Sequence, residues 1–223
     1  MAEALVIQMP SGPAPQLVLL FHGVGAAPED MLPIGERLAH EFPQAAIVSV
    51  PGRHASDFGR GYQWFSVSGI SEADRPRRVA EAMPEFIAAV RHWQAKAGAG
   101  VDETALIGFS QGAIMALEAT QRPEPLAGRV VALSGRFAAE PALAPPATTL
   151  HFLHGKADEV IHYGHAVRAA ERLVALGADV TADVIPFLGH AVNGEVLALM
   201  VERLKGYLPQ RKWREAIRSV PPA

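Results

Sequence analysis

The sequence has 223 residues, of which 49% are hydrophobic and 19% charged, as in an ordinary globular domain with a substantial core. Its net charge of -3 offers no basic surface for a polyanion, so we expect no nucleic-acid partner. The absence of cysteine excludes disulfides and thiolate metal sites and fits a cytoplasmic protein.

The N-terminus has an early acid and no basic start, so we expect no secretion signal. No apolar run approaches the roughly 20 residues that span a bilayer, so we expect no membrane span. Short apolar runs bounded by Gly, Pro or polar residues predict strands at 4–9, 17–21, 46–50, 104–107, 129–133, 148–153 and 180–187. Helices are predicted over 29–40, 76–97, 113–118, 163–176 and 193–207.

The alternation of strands and helices predicts a single-domain α/β fold with a mostly parallel sheet and helices on both faces. We assign the whole chain, 1–223, to this domain, with a core over about 4–208 and no large cap domain. The tail, 209–223, is predicted to hold a short helix around Trp213 and Ile217. The longest irregular stretch, 53–75, mixes glycines with aromatic residues, and loops of this length are commonly functional.

A Gly-Phe-Ser-Gln-Gly pentapeptide, residues 108–112, lies between a predicted strand and a predicted helix. A G-x-S-x-G in this position is typical of a nucleophile elbow, in which the serine occupies a strained turn. The glycines are needed because the strand and helix backbones approach closely there. The pentapeptide alone also fits an ordinary loop with Ser110 as a helix N-cap.

A serine nucleophile needs a base, and the base needs a group that orients it. Asp158 and His190 follow later strands, in the chain order serine, acid, histidine of α/β-hydrolases. Of the nine histidines, only His190 follows the last strand, whereas His154 is expected to fix the loop that presents Asp158. Glu159, beside Asp158, stays open as an alternative acid.

Two backbone N–H groups are candidates for the oxyanion hole that such chemistry requires. One belongs to Gln111, directly after the serine, and the other to Val24, in the Gly-rich loop after the strand at 17–21. That loop could also begin a dinucleotide fingerprint, but Pro28 occupies the position of its third glycine. We therefore expect neither a cofactor nor a metal.

Five segments together resemble the carboxylesterase/phospholipase family of α/β-hydrolases, which includes the acyl-protein thioesterases. They are Phe-His-Gly-Val-Gly at 21–25, Gln-Trp-Phe at 63–65, the pentapeptide at 108–112, His-Gly with Asp158 at 154–158, and Leu-Gly-His at 188–190. The resemblance spans roughly residues 5–205. It implies a Ser110–His190–Asp158 triad, oxyanion donors Val24 and Gln111, and Trp64 beside the acyl site. Many thioesterases of the family read Trp-Phe-Asp where this chain has Ser66 as the third residue.

The leading hypothesis is thus a cofactor-free serine hydrolase for short- to medium-chain carboxylic esters, with thioesters as a further substrate class. Lysophospholipase, acyl-protein thioesterase and a non-catalytic binding protein are the alternatives. We expect a small-molecule ester as the partner and a monomer or homodimer. An apolar acyl site is predicted from Trp64, Phe65, Phe109, Val160 and Leu188. The alternative is that most of these aromatic residues pack in the core.

Overall fold

The computed structural model describes residues 3–212 of the chain. The strands are β1 (Leu5–Gln8), β2 (Leu17–Phe21), β3 (Ala46–Val50), β4 (His54–Ala55), β5 (Tyr62–Gln63), β6 (Thr104–Phe109), β7 (Arg129–Leu133), β8 (Thr149–Gly155) and β9 (Val180–Ile185). The helices are α1 (Leu32–Glu41), α2 (Arg75–Ala97), α3 (Gln111–Glu118), α4 (Gly164–Ala175) and α5 (Gly194–Gly206).

Seven strands form one sheet in the order β1-β3-β2-β6-β7-β8-β9. The edge strand β1 pairs antiparallel with β3, and all other neighbours in this sheet are parallel. Parallel strands require crossover connections, which the intervening helices supply. The predicted α/β fold with its mostly parallel sheet is therefore confirmed.

Successive residues of β2 point to opposite faces of the sheet, and both faces are covered. Leu19 and Phe21 belong to the apolar cluster that includes buried residues of α2, α3 and α4. Leu20 belongs to the cluster on the other face, with buried residues of α1 and α5. Burial on both faces explains why β2 is apolar at every position rather than alternating with polar residues.

Apart from shifts of one or two residues at element ends, the structure differs from the prediction at three places. A 3₁₀ turn, Pro28–Met31, precedes α1, so the α-helix begins later than expected. The irregular stretch at 53–75 contains a two-stranded ribbon, because β4 and β5 pair antiparallel. Strand β9 ends at Ile185, since Pro186 has no N–H to donate to the sheet. Phe187 then takes a positive φ of 60° and is 97% exposed.

The carboxyl ends of the parallel strands lie at one edge of the sheet. This edge carries the loops that follow β2, β6, β7, β8 and β9, and with them every predicted catalytic residue. Within residues 3–212, no helix is long and apolar enough to cross a membrane. The predicted helix around Trp213 and Ile217 lies outside the described residues.

Candidate active site

Ser110 is the single residue between β6 and α3, and its backbone is strained. Its φ of 52° and ψ of -114° are rare for a residue with a side chain. The conformation is held from the neighbouring strand, because the Ser110 N–H donates to the carbonyl oxygen of Leu133, at 2.9 Å. Such strain persists only where the surroundings over-determine it. The predicted sharp turn at the serine is thus present.

The two glycines of the pentapeptide lie where backbone segments nearly touch. A β-carbon on Gly108 would lie 2.4 Å from the carbonyl oxygen of Gly112. One on Gly112 would lie 2.1 Å from the carbonyl oxygen of Phe21, on the adjacent strand. Both distances are far inside van der Waals contact, so neither position accepts a larger residue without a backbone shift.

Three side chains from three loops form one hydrogen-bonded chain. The Nε2 atom of His190 lies 2.9 Å from Oγ of Ser110, and its Nδ1 atom lies 2.7 Å from Oδ2 of Asp158. A neutral imidazole that donates from Nδ1 to the carboxylate has Nε2 free to accept the serine proton. The structure therefore brings together the three residues that the sequence had singled out.

Asp158 is 4% exposed, yet its surroundings favour the charged form. Its Oδ1 atom accepts hydrogen bonds from the N–H groups of Val160, at 2.9 Å, and Ile161, at 2.8 Å. Burial by itself opposes ionisation, but hydrogen bonds from His190 and these N–H groups outweigh it and hold the pKa of Asp158 below its usual range. The carboxylate can thus orient the imidazole and stabilise its protonated form.

His154 supports Asp158 from the end of β8. Its Nε2 atom lies 2.7 Å from the carbonyl oxygen of Ile161 and 3.2 Å from Oδ2 of Asp158. Burial lowers the pKa of His154, which favours the neutral ring. An Nε2–H group donates to the Ile161 carbonyl and closes the loop around the carboxylate. His154 therefore has the loop-fixing position that the sequence predicted for it.

The loop after β2 lies directly against the serine. A β-carbon on Gly23 would lie 3.3 Å from the β-carbon of Ser110. The turn is closed by the N–H groups of Gly25, which donates to Tyr62, and Ala26, which donates to Gly23. The Val24 N–H takes part in neither bond. As the first residue of α3, Gln111 has an N–H without an intrahelical acceptor.

The five predicted acyl-site residues have different surroundings. The ring of Phe109 lies against that of His190, with centroids 4.9 Å apart. Leu188 is partly buried and Val160 is 70% exposed. Trp64 and Phe65 are each 4% exposed and belong to the core cluster. Their burial favours the alternative interpretation, in which these two side chains pack in the core.

Two polar side chains that hold the segment at 63–68 were not predicted from the sequence. The side-chain amide of Gln111 pairs with the main chain of Trp64 and Phe65, although only its N–H was assigned a role. Asp57 accepts hydrogen bonds from Gln63 and from the segment 66–68, and so orders the irregular stretch. The partners of Gln111 lie 46 and 47 positions away in the sequence, and those of Asp57 lie across a loop. No local sequence pattern predicts such pairings.

The fold and the elbow geometry define the α/β-hydrolase class. Within that class, the family described as Phospholipase/Carboxylesterase matches residues 2–207. The chain belongs to this family of ester-hydrolysing enzymes, as the sequence motifs predicted.

Similar proteins agree with this assignment. The chain is 47% identical to Esterase YpfH of Escherichia coli (strain K12) over 96% of its own length and 93% of that protein. The crystal structure of esterase PE8 superposes with a TM-score of 0.82 at 27% identity, covering 92% of this chain and 98% of that one. A carboxylesterase from Mesorhizobium loti has the same fold, with a TM-score of 0.74, 21% identity and coverage of 87% and 90%.

Proposed function

We propose that the protein is a serine hydrolase that cleaves carboxylic esters of short to medium acyl chain through an acyl-enzyme. The observation that carries this proposal is the continuous hydrogen-bonded chain from Ser110 through His190 to Asp158, at 2.9 and 2.7 Å. The same chain of bonds argues against a non-catalytic binding protein, for which a strained serine beside a base has no use.

In the acylation step, Ser110 Oγ attacks the ester carbonyl carbon while Nε2 of His190 takes the serine proton. The carbonyl oxygen becomes an oxyanion, for which we assign the N–H groups of Gln111 and Val24 as donors. Collapse of the tetrahedral intermediate expels the alcohol, which receives the proton from His190. Water then attacks the acyl-enzyme with His190 again as base, and the carboxylic acid leaves.

For the acyl site we propose Phe109, Leu188 and Val160. Phe109 directly precedes Ser110, and its ring touches that of His190. Leu188 lies two residues before His190. Val160 lies on the loop that carries Asp158. Thioesters react by the same steps and are a further substrate class for this site.

Lysophospholipase is a second candidate, because exposed aromatic side chains lie on loops at the same edge of the sheet. Phe58 is 65% exposed and packs near Gly25 of the loop after β2. Phe187 is 97% exposed and precedes His190 by one short turn. Such residues suit an amphiphilic substrate presented in a micelle. This candidate predicts a rate that rises with chain length and with micelle formation, whereas the leading proposal predicts no such rise.

Labelling with a fluorophosphonate probe, together with hydrolysis of p-nitrophenyl acetate and butyrate, tests the mechanism. Wild type should be labelled and active, and Ser110→Ala should be neither. Ser134→Ala is the matched control, because Ser134 also directly follows a strand, β7, with a positive φ, 48°, and is 2% exposed. Labelling that persists in Ser110→Ala, or wild type that is never labelled, would overturn the proposal.

A further inference from the structure

We propose that Trp64, acting with the side chain of Gln111, is a positioning residue. It fixes the Gln111 and Val24 N–H groups of the oxyanion hole relative to each other. This inference rests on the proposed function, since it concerns the Gln111 and Val24 N–H groups. Trp64 is 4% exposed, and in this role it acts through the two segments that carry the donors rather than on the substrate.

Trp64 and Phe65 are hydrogen-bonded to the residue that carries the first donor, Gln111. The main-chain N–H of Trp64 donates to Oε1 of Gln111 at 2.8 Å, and Nε2 of Gln111 donates to the carbonyl oxygen of Phe65 at 2.7 Å. Gln111 is 3% exposed, so these two bonds have no competition from bulk water. The side-chain amide thus fixes the first residue of α3 against the segment at 64–65.

Trp64 is also hydrogen-bonded to the loop that carries the second donor, the Val24 N–H. The indole Nε1–H of Trp64 donates to the carbonyl oxygen of His22 at 2.9 Å. That carbonyl belongs to the peptide unit that links His22 to Gly23, one unit before the Val24 N–H. One residue therefore holds both donor segments, one through its main chain and the other through its side chain.

His22, which accepts the indole hydrogen bond, is itself held in place by hydrogen bonds at both ring nitrogens. The His22 ring lies 2.7 Å from the Gly23 carbonyl oxygen through Nδ1, and its Nε2 accepts from the Gly52 N–H at 2.9 Å. These two bonds require a neutral ring with its proton on Nδ1. Burial lowers the pKa of His22, which favours that form. The loop cannot follow a displaced indole without breaking buried hydrogen bonds.

The indole cannot shift easily either. Its ring packs edge-on against Phe21 and Phe86, with centroids 5.5 Å away in both cases. Phe21 is the last residue of β2, and its carbonyl oxygen faces Gly112 of the elbow. The spacing between the two donor segments is consequently set by a side chain locked in the core.

The expected signature is a loss of transition-state stabilisation without a loss of substrate binding. Donor N–H groups act on the oxyanion, which exists only after attack, so their displacement lowers kcat and leaves KM nearly unchanged. A misplacement of around 1 Å in such a site costs up to about 100-fold in rate. The loss should be the same for every acyl chain length, whereas a residue that lines the acyl pocket changes the chain-length profile.

The test compares Trp64→Phe and Gln111→Met with wild type on p-nitrophenyl esters from acetate to octanoate. Trp64→Phe removes the indole N–H but keeps a buried ring. Gln111→Met removes both side-chain bonds and keeps the main-chain N–H. We expect kcat to fall about 10- to 100-fold in each variant, with KM and the pH midpoint of kcat/KM unchanged. Binding of a trifluoromethyl ketone, which forms a tetrahedral adduct with Ser110, should weaken by the same factor as kcat.

The chain offers a matched control for each change. Trp93→Phe alters another buried tryptophan, 7% exposed, in the C-terminal part of α2. Gln94→Met removes a buried amide that donates to Thr104 and Leu126. Both controls should lose stability to urea as the test variants do, yet keep wild-type kcat.

Folded test variants with wild-type kcat, or with a loss that depends on chain length, would overturn the positioning role. The positioning role is also rejected if the controls lose kcat as much as the test variants, because the effect is then one of stability alone. Fluorophosphonate labelling of wild type separates this outcome from failure of the proposed function: a labelled wild type with unaffected variants rejects the positioning role only.

Discussion

The carbonyl oxygen of Phe21 lies 2.1 Å from the place where a β-carbon on Gly112 would stand. Strand β2 and the start of α3 therefore meet without room for a methyl group. This contact sets the distance between the loop at 22–25, which continues from Phe21, and the helix that begins with Gln111.

Gly112→Ala should therefore destabilise the fold and lower activity together. Overpacking at a rigid contact costs about 1–3 kcal/mol, and the shift that relieves it moves α3 away from the loop. Gly194→Ala is the control, because a β-carbon there meets no atom within 4 Å at the start of α5. Urea unfolding and p-nitrophenyl acetate hydrolysis measure both effects. Wild-type stability and kcat in Gly112→Ala would contradict the steric explanation.

His190→Ala should lose about 10³-fold or more in kcat, because a triad acts as a unit. For the same reason the double variant with Asp158→Ala should be little worse than His190→Ala alone. His40→Ala is a suitable control, since the His40 side chain is 84% exposed on α1. The kcat of each single and double variant on p-nitrophenyl butyrate tests this expectation. If the two single losses in kcat multiply in the double variant, the residues act independently, which would argue against a coupled triad.

Ser66→Asp restores the Trp-Phe-Asp motif of many thioesterases, and we expect it to loosen the loop. Oδ2 of Asp57 accepts from Ser66 Oγ at 2.8 Å and from the Val67 and Ser68 N–H groups at 2.7 and 2.9 Å. Hydrogen bonds from Gln63 and Ser66 are the main reason why the pKa of Asp57 is lowered to about 2. A second carboxylate would replace a donor by a like charge.

Hydrogen exchange of the amides at 67 and 68 should accordingly be faster in Ser66→Asp than in wild type. Ser66→Asn, which is similar in size but uncharged, separates charge from shape and should change exchange less. Exchange that stays at the wild-type rate in Ser66→Asp, while its thioester hydrolysis rises relative to ester hydrolysis, would contradict this expectation.

His151 should make the protein less stable in acid. The ring is fully buried in β8, with Nδ1 2.8 Å from Thr181 Oγ1. Burial, aided by the charges of Arg129 and Arg203, lowers the pKa of His151 from its ordinary 6.5 to about 3. The unfolded chain therefore binds one more proton between these values. Stability contributed by the neutral ring is present above pH 6.5 and is lost as pH falls toward 3.

His151→Gln should make the free energy of unfolding depend less on pH, by about 1.4 kcal/mol per pH unit between pH 6.5 and about 3. Urea unfolding of both proteins from pH 7 to pH 4 measures the slopes. The buried His22 and His154 contribute equally to both proteins, so the difference in slope isolates His151. Parallel curves, whatever their offset, would show that the ring does not titrate in this way.

The order of the main strands along the chain, and the hydrogen-bonded grouping of Ser110, His190 and Asp158, could be predicted because each depends on local patterns. Continuous apolar runs such as Leu17–Phe21 identify strands buried on both faces. The parallel sheet then places whatever follows each strand at one edge, so Ser110, Asp158 and His190 were expected at the same edge. Strand β9 was predicted too long, because its apolar pattern continues past a proline that ends the pairing.

The sequence by itself thus determined the fold class, the family and the chain order of the three proposed catalytic residues. Only the tertiary structure decided which groups the side chains of Trp64 and Gln111 contact. From the sequence, Trp64 was an aromatic residue in a long loop and a candidate for the acyl site. Its contacts with His22 and Phe86 depend on how separate elements pack, and its bond to Gln111 joins residues 47 positions apart. Such pairings arise from three-dimensional proximity, which composition, periodicity and motif spacing do not encode.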